Sequence, residues 1–154
     1  MGVEIERKFL TSSESWREGA VGIRYTQGYL CREHGRTVRV RIAGEKAFLT
    51  IKGASKGFSR PEFEYPIPAE DARAMLSLCD GPLIDKTRHR IPHAGHVWEV
   101  DVFHGENDGL IVAEVELRSA EEPVELPSWI GTEVTGDRKY DNSALSIRPY
   151  SSWT

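Results

Sequence analysis

The first ten residues, MGVEIERKFL (1–10), decide the fold because charged and apolar side chains alternate along them. In an extended segment, successive side chains point to opposite faces. Glu4, Glu6 and Lys8 then share one face, and Ile5 lies on the other. Two carboxylates suit a divalent cation, and the ammonium suits a phosphate bound to that cation. For one strand alone, an edge strand with solvated charges explains the pattern equally simply, so the other segments decide between the two.

The composition indicates a folded chain with a large polar load. Of 154 residues, 39% are hydrophobic and 29% charged, with a net charge of −4, which argues against a nucleic-acid-binding protein. The chain start lacks the apolar segment of a signal peptide, and no apolar run is long enough to span a membrane. Cys31 and Cys79 show no metal-ligand spacing. We therefore expect one reduced cytoplasmic domain over residues 1–154 that uses neither nucleic acid nor membrane as a partner.

Most of the chain alternates with a period of two, and Gly, Pro or Asp residues bound each alternating segment. Eight short segments at this spacing predict an α+β fold that is mainly antiparallel β, with one sheet that is strongly curved or closed into a barrel. The predicted strands cover residues 3–10, 24–32, 37–43, 46–52, 60–67, 86–92, 97–103 and 111–118.

One helix is predicted at 69–79, where Pro68 precedes an apolar stripe with helical spacing and Gly81 follows it. A few helices outside the barrel complete the expected architecture. Weaker helical patterns cover residues 12–18, 119–129 and 138–146.

The polar faces of the predicted strands are almost entirely charged, in both signs. An exposed sheet face normally mixes Thr, Ser and Gln with its charges, and these faces do not. One explanation is an open sheet whose wet side carries salt-bridged cross-strand pairs. The other is a closed barrel that lines a tunnel with charge, which is costly unless a ligand and metal complete the pairing. The stripes comprise Glu4, Glu6, Lys8, Arg39, Arg41, Lys52, Glu62, Glu64, Lys86, Arg88, Arg90, Glu99, Asp101, Glu114 and Glu116.

These stripes are similar, in type and order along the whole chain, to those of the CYTH or triphosphate tunnel metalloenzyme superfamily. Its ExExK motif is present as Glu4-Ile5-Glu6-Arg7-Lys8. The resemblance implies an eight-stranded antiparallel β-barrel that binds triphosphate compounds together with Mg²⁺ or Mn²⁺.

The resemblance also implies a role for each charged group. The implied metal ligands are Glu4, Glu6, Glu114 and Glu116, joined by Asp101. The implied triphosphate-binding residues are Lys8, Arg39, Arg41, Lys52, Lys86 and Arg88.

Two further roles each have two candidate residues. In the C-terminal EVTGDRKYDNSAL, a basic residue is expected to reach the substrate; Arg138 and Lys139 both qualify, and Lys139 is the working assignment. Tyr29 is expected to approach Lys52 in a Lys–Tyr pair that handles a proton, although Tyr25 is a rival by position.

The function expected from the resemblance is metal-dependent hydrolysis of a triphosphate, with inorganic tripolyphosphate cleaved to pyrophosphate and phosphate. Positioning and charge neutralisation account for most of phosphoryl-transfer catalysis, so no separate nucleophile is required. Alternatives are a thiamine triphosphatase, a nucleoside triphosphatase, a class IV-type adenylate cyclase, or a non-catalytic polyphosphate-binding module. The sequence leaves the oligomeric state open between monomer and homodimer.

Overall fold

A closed antiparallel barrel is the centre of the computed structural model, which describes residues 3–57 and 59–153. Neighbouring strands in the barrel are β1-β5-β4-β3-β2-β6-β7-β8, and β8 pairs back to β1. A ninth strand, β9, extends the sheet by pairing with the end of β1. The barrel strands are β1 (Val3–Thr11), β2 (Gly22–Cys31), β3 (Thr37–Ala43), β4 (Lys46–Lys52), β5 (Ser59–Ile67), β6 (Ile84–His93), β7 (His96–Phe103) and β8 (Ile111–Glu116), and β9 is Ile130–Glu133.

The predicted barrel is therefore confirmed, and the charged parity faces its interior. In the register between β1 and β8, Glu6 lies opposite Glu116 and Lys8 lies opposite Glu114. Because the strand period is two, this one register places every second side chain of both strands inside the barrel. The open sheet with a solvated charged face is excluded.

The predicted helices are less well reproduced. Within the described residues the α-helices are α1 (Ala69–Leu76) and α2 (Asn142–Leu145), with 3₁₀ turns at Ser15–Arg17, Gly105–Asn107, Arg138–Tyr140 and Tyr150–Ser152. The predicted helix over 119–129 is wrong, because Pro123 and Pro127 interrupt the pattern and cannot donate the hydrogen bonds of a helix interior. No helix in the part of the chain that the structure describes is long and apolar enough to cross a membrane.

The outward faces of the barrel are covered unevenly. Phe9, Trp98 and Trp129 belong to a buried cluster that packs on the outside of β1, β7 and β8. Helix α1 covers β3 and β4 by burying Ala72 against Val40. Strand β5 has less cover, and its Phe63 and Tyr65 are exposed, so the structure outside the barrel covers only part of it.

A third apolar cluster closes one end of the barrel. The inward-facing ends of β6, β7 and β8 supply Ile84, Phe103 and Val112, and the C-terminal segment packs against them through Tyr140 and Leu145. Helix α2 therefore lies across the end of the barrel, where its first residues face the charged interior.

Candidate active site: a charged cavity inside the barrel

The barrel interior contains a cavity of about 210 Å³ whose wall is dominated by charged side chains. Below we call it the main cavity. Its charged lining residues are Glu4, Glu6, Lys8, Arg39, Arg41, Lys52, Arg60, Glu62, Glu64, Lys86, Arg88, Arg90, Glu99, Glu114, Glu116 and Asp141.

Acidic groups concentrate on β1 and β8. Glu6 and Glu114 line the main cavity together. Burial, followed by the charge and the hydrogen bond of Glu114, raises the pKa of Glu6 well above its usual value. Burial opposes ionisation of Glu114 as well, but the Glu6 hydrogen bond and nearby Lys8 hold its pKa well below the usual value. Of these two carboxyl groups, Glu6 therefore keeps its proton to the higher pH.

Two lysines accompany these acids. Lys52 Nζ donates to Glu4 Oε1 at 3.0 Å and lies 3.5 Å from Glu62 Oε2. Burial alone would lower the pKa of Lys8, but Glu114, Glu6 and Asp141 together raise it above the usual value. Lys8 is thus held as a cation, ready to bind an anion.

A second set of basic groups lies on β6, around one carboxylate from β7. Lys86 Nζ donates to Asp101 Oδ2 at 2.7 Å, while Arg88 donates to both oxygens of Asp101 at 2.7 and 2.9 Å. Lys86 and Asp101 are completely buried. Burial lowers the pKa of Lys86 to about 7, an effect that Asp101 opposes and that Arg88 reinforces. The carboxylate of Asp101 therefore holds both Lys86 and Arg88 in place.

Strand β3, which is separated from β6 only by β2, adds two guanidinium groups. Arg39 Nη2 donates to Thr50 at 3.1 Å and to Glu64 at 3.3 Å. Its buried Nε has no hydrogen-bond partner within the described residues. Burial, together with repulsion from Arg39 and Arg88, lowers the pKa of Arg41 to about 9. These donors are available to a ligand that carries its own negative charge.

The ring of Tyr25 separates the two basic sets. The guanidinium carbons of Arg41 and Arg88 lie 4.8 and 5.1 Å from its centroid. Cation–π contacts at these distances help to hold the two guanidinium groups in place. Tyr25 therefore supports the basic residues with its ring face.

The C-terminal segment completes the cavity through Asp141 and Asn142. Asp141 Oδ1 accepts from Lys8 Nζ at 3.2 Å. Asn142 Oδ1 accepts from Lys86 Nζ at 3.0 Å and from Gln27 Nε2 at 3.2 Å. Asp141 and Asn142 thereby hold the ammonium groups of Lys8 and Lys86 in place, although they are distant from both lysines in sequence.

Comparison with known proteins places the chain in a family. The model of the CYTH domain matches residues 2–147. The chain belongs to the CYTH domain family. It is 46% identical over 154 residues to an inorganic triphosphatase of Acetivibrio thermocellus, covering 99% of both chains. It is 37% identical over 150 residues to an inorganic triphosphatase of Nitrosomonas europaea, covering 94% of this chain and 97% of the relative.

A solved structure shows the same architecture. The crystal structure of the inorganic triphosphatase NE1496 superposes with a TM-score of 0.68 at 31% identity, over 93% of this chain and 97% of that one. The resemblance inferred from the charged stripes is thus confirmed for the family and the fold.

Nearly all the residues singled out from the sequence converge in this CYTH barrel. Eleven of the thirteen line the main cavity, and the exceptions are Asp101 and Lys139. Asp101 lies behind the wall, where Lys86 and Arg88 occupy its oxygens, so its position suits a group that orients cations better than an exposed metal ligand. Lys139 does not reach the cavity, because its Nζ lies over the rings of Trp153 and Tyr140 at 4.8 and 5.3 Å. The eleven residues are Glu4, Glu6, Lys8, Tyr29, Arg39, Arg41, Lys52, Lys86, Arg88, Glu114 and Glu116.

Arg138 is the other basic residue of this segment that is expected from the sequence to reach the substrate. It lines a side cavity of about 170 Å³ next to the main one, and Glu4, Glu6, Lys8, Arg60 and Asp141 line both. The side cavity comprises these residues with Ser55, Gly57, Thr135, Gly136 and Arg138.

The expected Lys–Tyr pair is only partly formed. Tyr29 and Lys52 line the same cavity, but Lys52 donates to Glu4, and no hydrogen bond joins Lys52 to Tyr29 among the described side chains. The Tyr29 hydroxyl instead lies 3.5 Å from Gln27 Nε2.

Sequence reasoning missed Gln27, Arg60, Asp141 and Asn142. Gln27 and Arg60 share the inward parity of β2 and β5, so extending the parity reading to uncharged residues and strand ends would have found both. Asp141 and Asn142 follow a 3₁₀ turn and enter the cavity from outside the barrel, and no strand periodicity signals such a position.

The donor set also bears on the expected metal. No three Asp, Glu, His or Cys side chains among the described residues are grouped to hold a metal ion as they stand. The carboxyl groups of Glu4, Glu6, Glu114 and Glu116 nevertheless line one cavity and offer only oxygen, which hard divalent cations prefer. Such a cation displaces a proton from its ligands on binding, and the raised pKa of Glu6 is consistent with a proton there. The chemistry of the site therefore fits a hard divalent cation.

Proposed function

We propose that this CYTH protein is a metal-dependent triphosphatase that cleaves inorganic tripolyphosphate to pyrophosphate and phosphate. The observation that carries the proposal is the main cavity, which is lined both by the cations Arg39, Arg41 and Arg88 and by the carboxyl groups of β1 and β8. A polyphosphate supplies oxygens for the basic groups, and a divalent cation suits the carboxyl groups. The names of the two curated relatives support the same activity.

In this proposal the basic residues hold the triphosphate and stabilise the leaving pyrophosphate. Lys8, Arg39, Arg41, Lys86 and Arg88 reach it from β1, β3 and β6. Fixing the phosphates in line converts substrate binding into correct orientation for attack.

Glu4, Glu6, Glu114 and Glu116 would hold the metal, and Asp101 would aim Lys86 and Arg88. Mg²⁺ or Mn²⁺, when bound, would neutralise phosphate charge and activate a water. Lys52 and Tyr29 line the cavity and are our candidates for holding a proton during transfer.

Inorganic tripolyphosphate is preferred over organic triphosphates because the main cavity is small and polar. Pockets for organic ligands are lined mainly by apolar and aromatic side chains. Here the ring of Tyr25 already lies under Arg41 and Arg88, so it is not free to stack on a purine or thiazolium.

The decisive experiment measures phosphate release from tripolyphosphate, pyrophosphate, ATP and thiamine triphosphate, with Mg²⁺, Mn²⁺ or EDTA. Cyclic AMP formation from ATP is followed in parallel. We expect tripolyphosphate to be the best substrate, EDTA to abolish turnover, and Glu6→Gln to do the same. Cyclic AMP as the main product, or tight tripolyphosphate binding without turnover, would replace the proposal with a cyclase or a binding module.

A further inference from the structure

Two cations of the main cavity are short of negative partners inside the protein. Arg41 makes no ion pair with any described carboxylate; its Nε donates to Gln27 Oε1 at 2.7 Å. Lys86 shares Asp101 with Arg88, and its other acceptor is Asn142 Oδ1. Uncharged amides therefore occupy positions where carboxylates would neutralise these cations.

The two amides form one connected unit. Gln27 is completely buried on the inner face of β2, directly opposite Arg41. Arg41 and Lys86 can only donate, so each requires an amide oxygen facing it. Gln27 then presents its NH₂ group to Asn142 Oδ1, at 3.2 Å. The two cations thus fix the orientation of both amides, and the unit connects β3, β2 and β6 to the C-terminal segment.

An amide and a carboxylate have the same shape here but different consequences. Both orient a cation by accepting its hydrogen bond, but only the carboxylate cancels its charge. A cation oriented without being neutralised binds a polyphosphate more tightly, because no internal anion has to be displaced.

We propose that Gln27 and Asn142 are positioning residues that aim Arg41 and Lys86 at the triphosphate while leaving their charge for it. This inference rests on the proposed function, since it assigns the amides a task in binding that substrate. It extends the site to two uncharged residues, of which Asn142 lines the main cavity and Gln27 lies behind its wall.

Gln27→Glu is the sharpest test, because it preserves shape and the acceptor for Arg41 while adding a charge. We expect the KM for tripolyphosphate to rise by about tenfold or more, the scale of one charged hydrogen bond. The urea midpoint of unfolding should stay close to that of the wild type, because the ion pair gained by buried Arg41 offsets the hydrogen bond that Gln27 Nε2 no longer donates to Asn142 Oδ1. Gln27→Met, of similar size, should lower both the midpoint and kcat/KM, because Arg41 Nε then lacks an acceptor.

Asn142→Asp tests the same idea at Lys86, should Gln27→Glu fail to fold. The matched control is Asn107→Asp: Asn107 is equally an acceptor, from the Tyr150 amide at 2.8 Å, but lines neither cavity. The control should leave KM within about twofold. This result would show that one extra negative charge elsewhere in the protein is not enough to weaken substrate binding.

A purely structural role for the amides predicts a different pattern. Gln27→Glu and Asn142→Asp would then lower the unfolding midpoint and leave KM unchanged, and that result overturns the inference. Calorimetric binding of tripolyphosphate to wild type and variants separates this outcome from failure of the proposed function. A wild type that binds but does not hydrolyse rejects the function, while weaker binding by the Glu and Asp variants still supports the amide roles.

Discussion

Lys86 Nζ lies 2.7 Å from Asp101 Oδ2, and neither side chain reaches solvent. Arg88 donates to the same carboxylate, so Asp101 is a buried anion that two cations of the main cavity share. Burying charges is unfavourable unless each is paired and hydrogen-bonded. Asp101 therefore determines whether this wall of the barrel can be basic at all.

Asp101→Asn should destabilise the protein strongly. It removes the charge that compensates Lys86 and Arg88 but keeps the size of the side chain. Breaking a buried ion pair from one side costs roughly 3–5 kcal/mol of unfolding free energy. Urea unfolding measures the change, and Asp85→Asn is the control, since Asp85 pairs with Arg24 at the surface and an exposed pair contributes about 0–1 kcal/mol. Equal losses in the two variants would show that Asp101 has no special role.

Substitution of Lys8 should lower activity, whereas substitution of its neighbour Arg7 should not. Arg7 points outward and binds Glu133 through Nε and Nη2 at 2.9 and 2.8 Å, whereas Lys8 points into the cavity. Arg7→Ala should leave kcat/KM unchanged. Lys8→Ala should lower it by roughly 10- to 100-fold, the worth of one charged hydrogen bond to substrate. Steady-state hydrolysis of tripolyphosphate compares the two, and a larger loss for Arg7→Ala would reverse the assignment of the faces.

Binding of Mg²⁺ should strengthen as pH rises, because the cation competes with the proton that burial and Glu114 favour on Glu6. The raised pKa of Glu6 means that the folded protein keeps this proton above the usual value of 4.5. Without metal, the stability contributed by Glu6 is present at low pH and lost as pH rises through its folded-state pKa. The rise in unfolding temperature caused by Mg²⁺ should therefore grow from about pH 5 to about pH 8.

Glu6→Gln is the control for this pH dependence, because its side chain cannot ionise. It should flatten the profile and weaken the Mg²⁺ effect at every pH. If Mg²⁺ stabilises the wild type equally at every pH tested, Glu6 is not a ligand of the metal.

The period of two predicted the strands and the face on which their charges lie, and the family resemblance supplied the closure of the barrel. Glu6, Arg41 and Arg88 lie inside for the same reason that Ile5 lies outside. What parity cannot predict is which cation meets which anion. Asp101 has the inward parity expected of a metal ligand, yet its register opposite Arg88 commits its oxygens to cations. That distinction depends on strand pairing, which the sequence does not reveal.

The C-terminal segment illustrates the other limit. Arg138 and Lys139 are adjacent in sequence, and no periodicity separates them within a three-residue 3₁₀ turn. Packing makes the difference, because Trp153 provides a ring face for Lys139 and so turns it away from the barrel. Contacts of this kind follow from the folded chain alone.

Arg138 and Lys139 provide the last prediction. Arg138 lines the side cavity beside Lys8 and Asp141, whereas Lys139 lies over Trp153 outside both cavities. Arg138→Ala should raise the KM for tripolyphosphate by about three- to tenfold, less than the effect expected for a fully buried contact, because solvent screens a charge at the cavity mouth. The rise should shrink with added salt, since the interaction is electrostatic.

Lys139→Ala is the matched control, because it removes a neighbouring positive charge of the same segment. It should leave KM within about twofold and lower stability by about 0.5–1 kcal/mol through the lost cation–π contact. Steady-state kinetics at two salt concentrations, with urea unfolding of both variants, provide the comparison. A KM that rises for Lys139→Ala and not for Arg138→Ala would mean that Lys139 leaves the Trp153 ring to bind substrate.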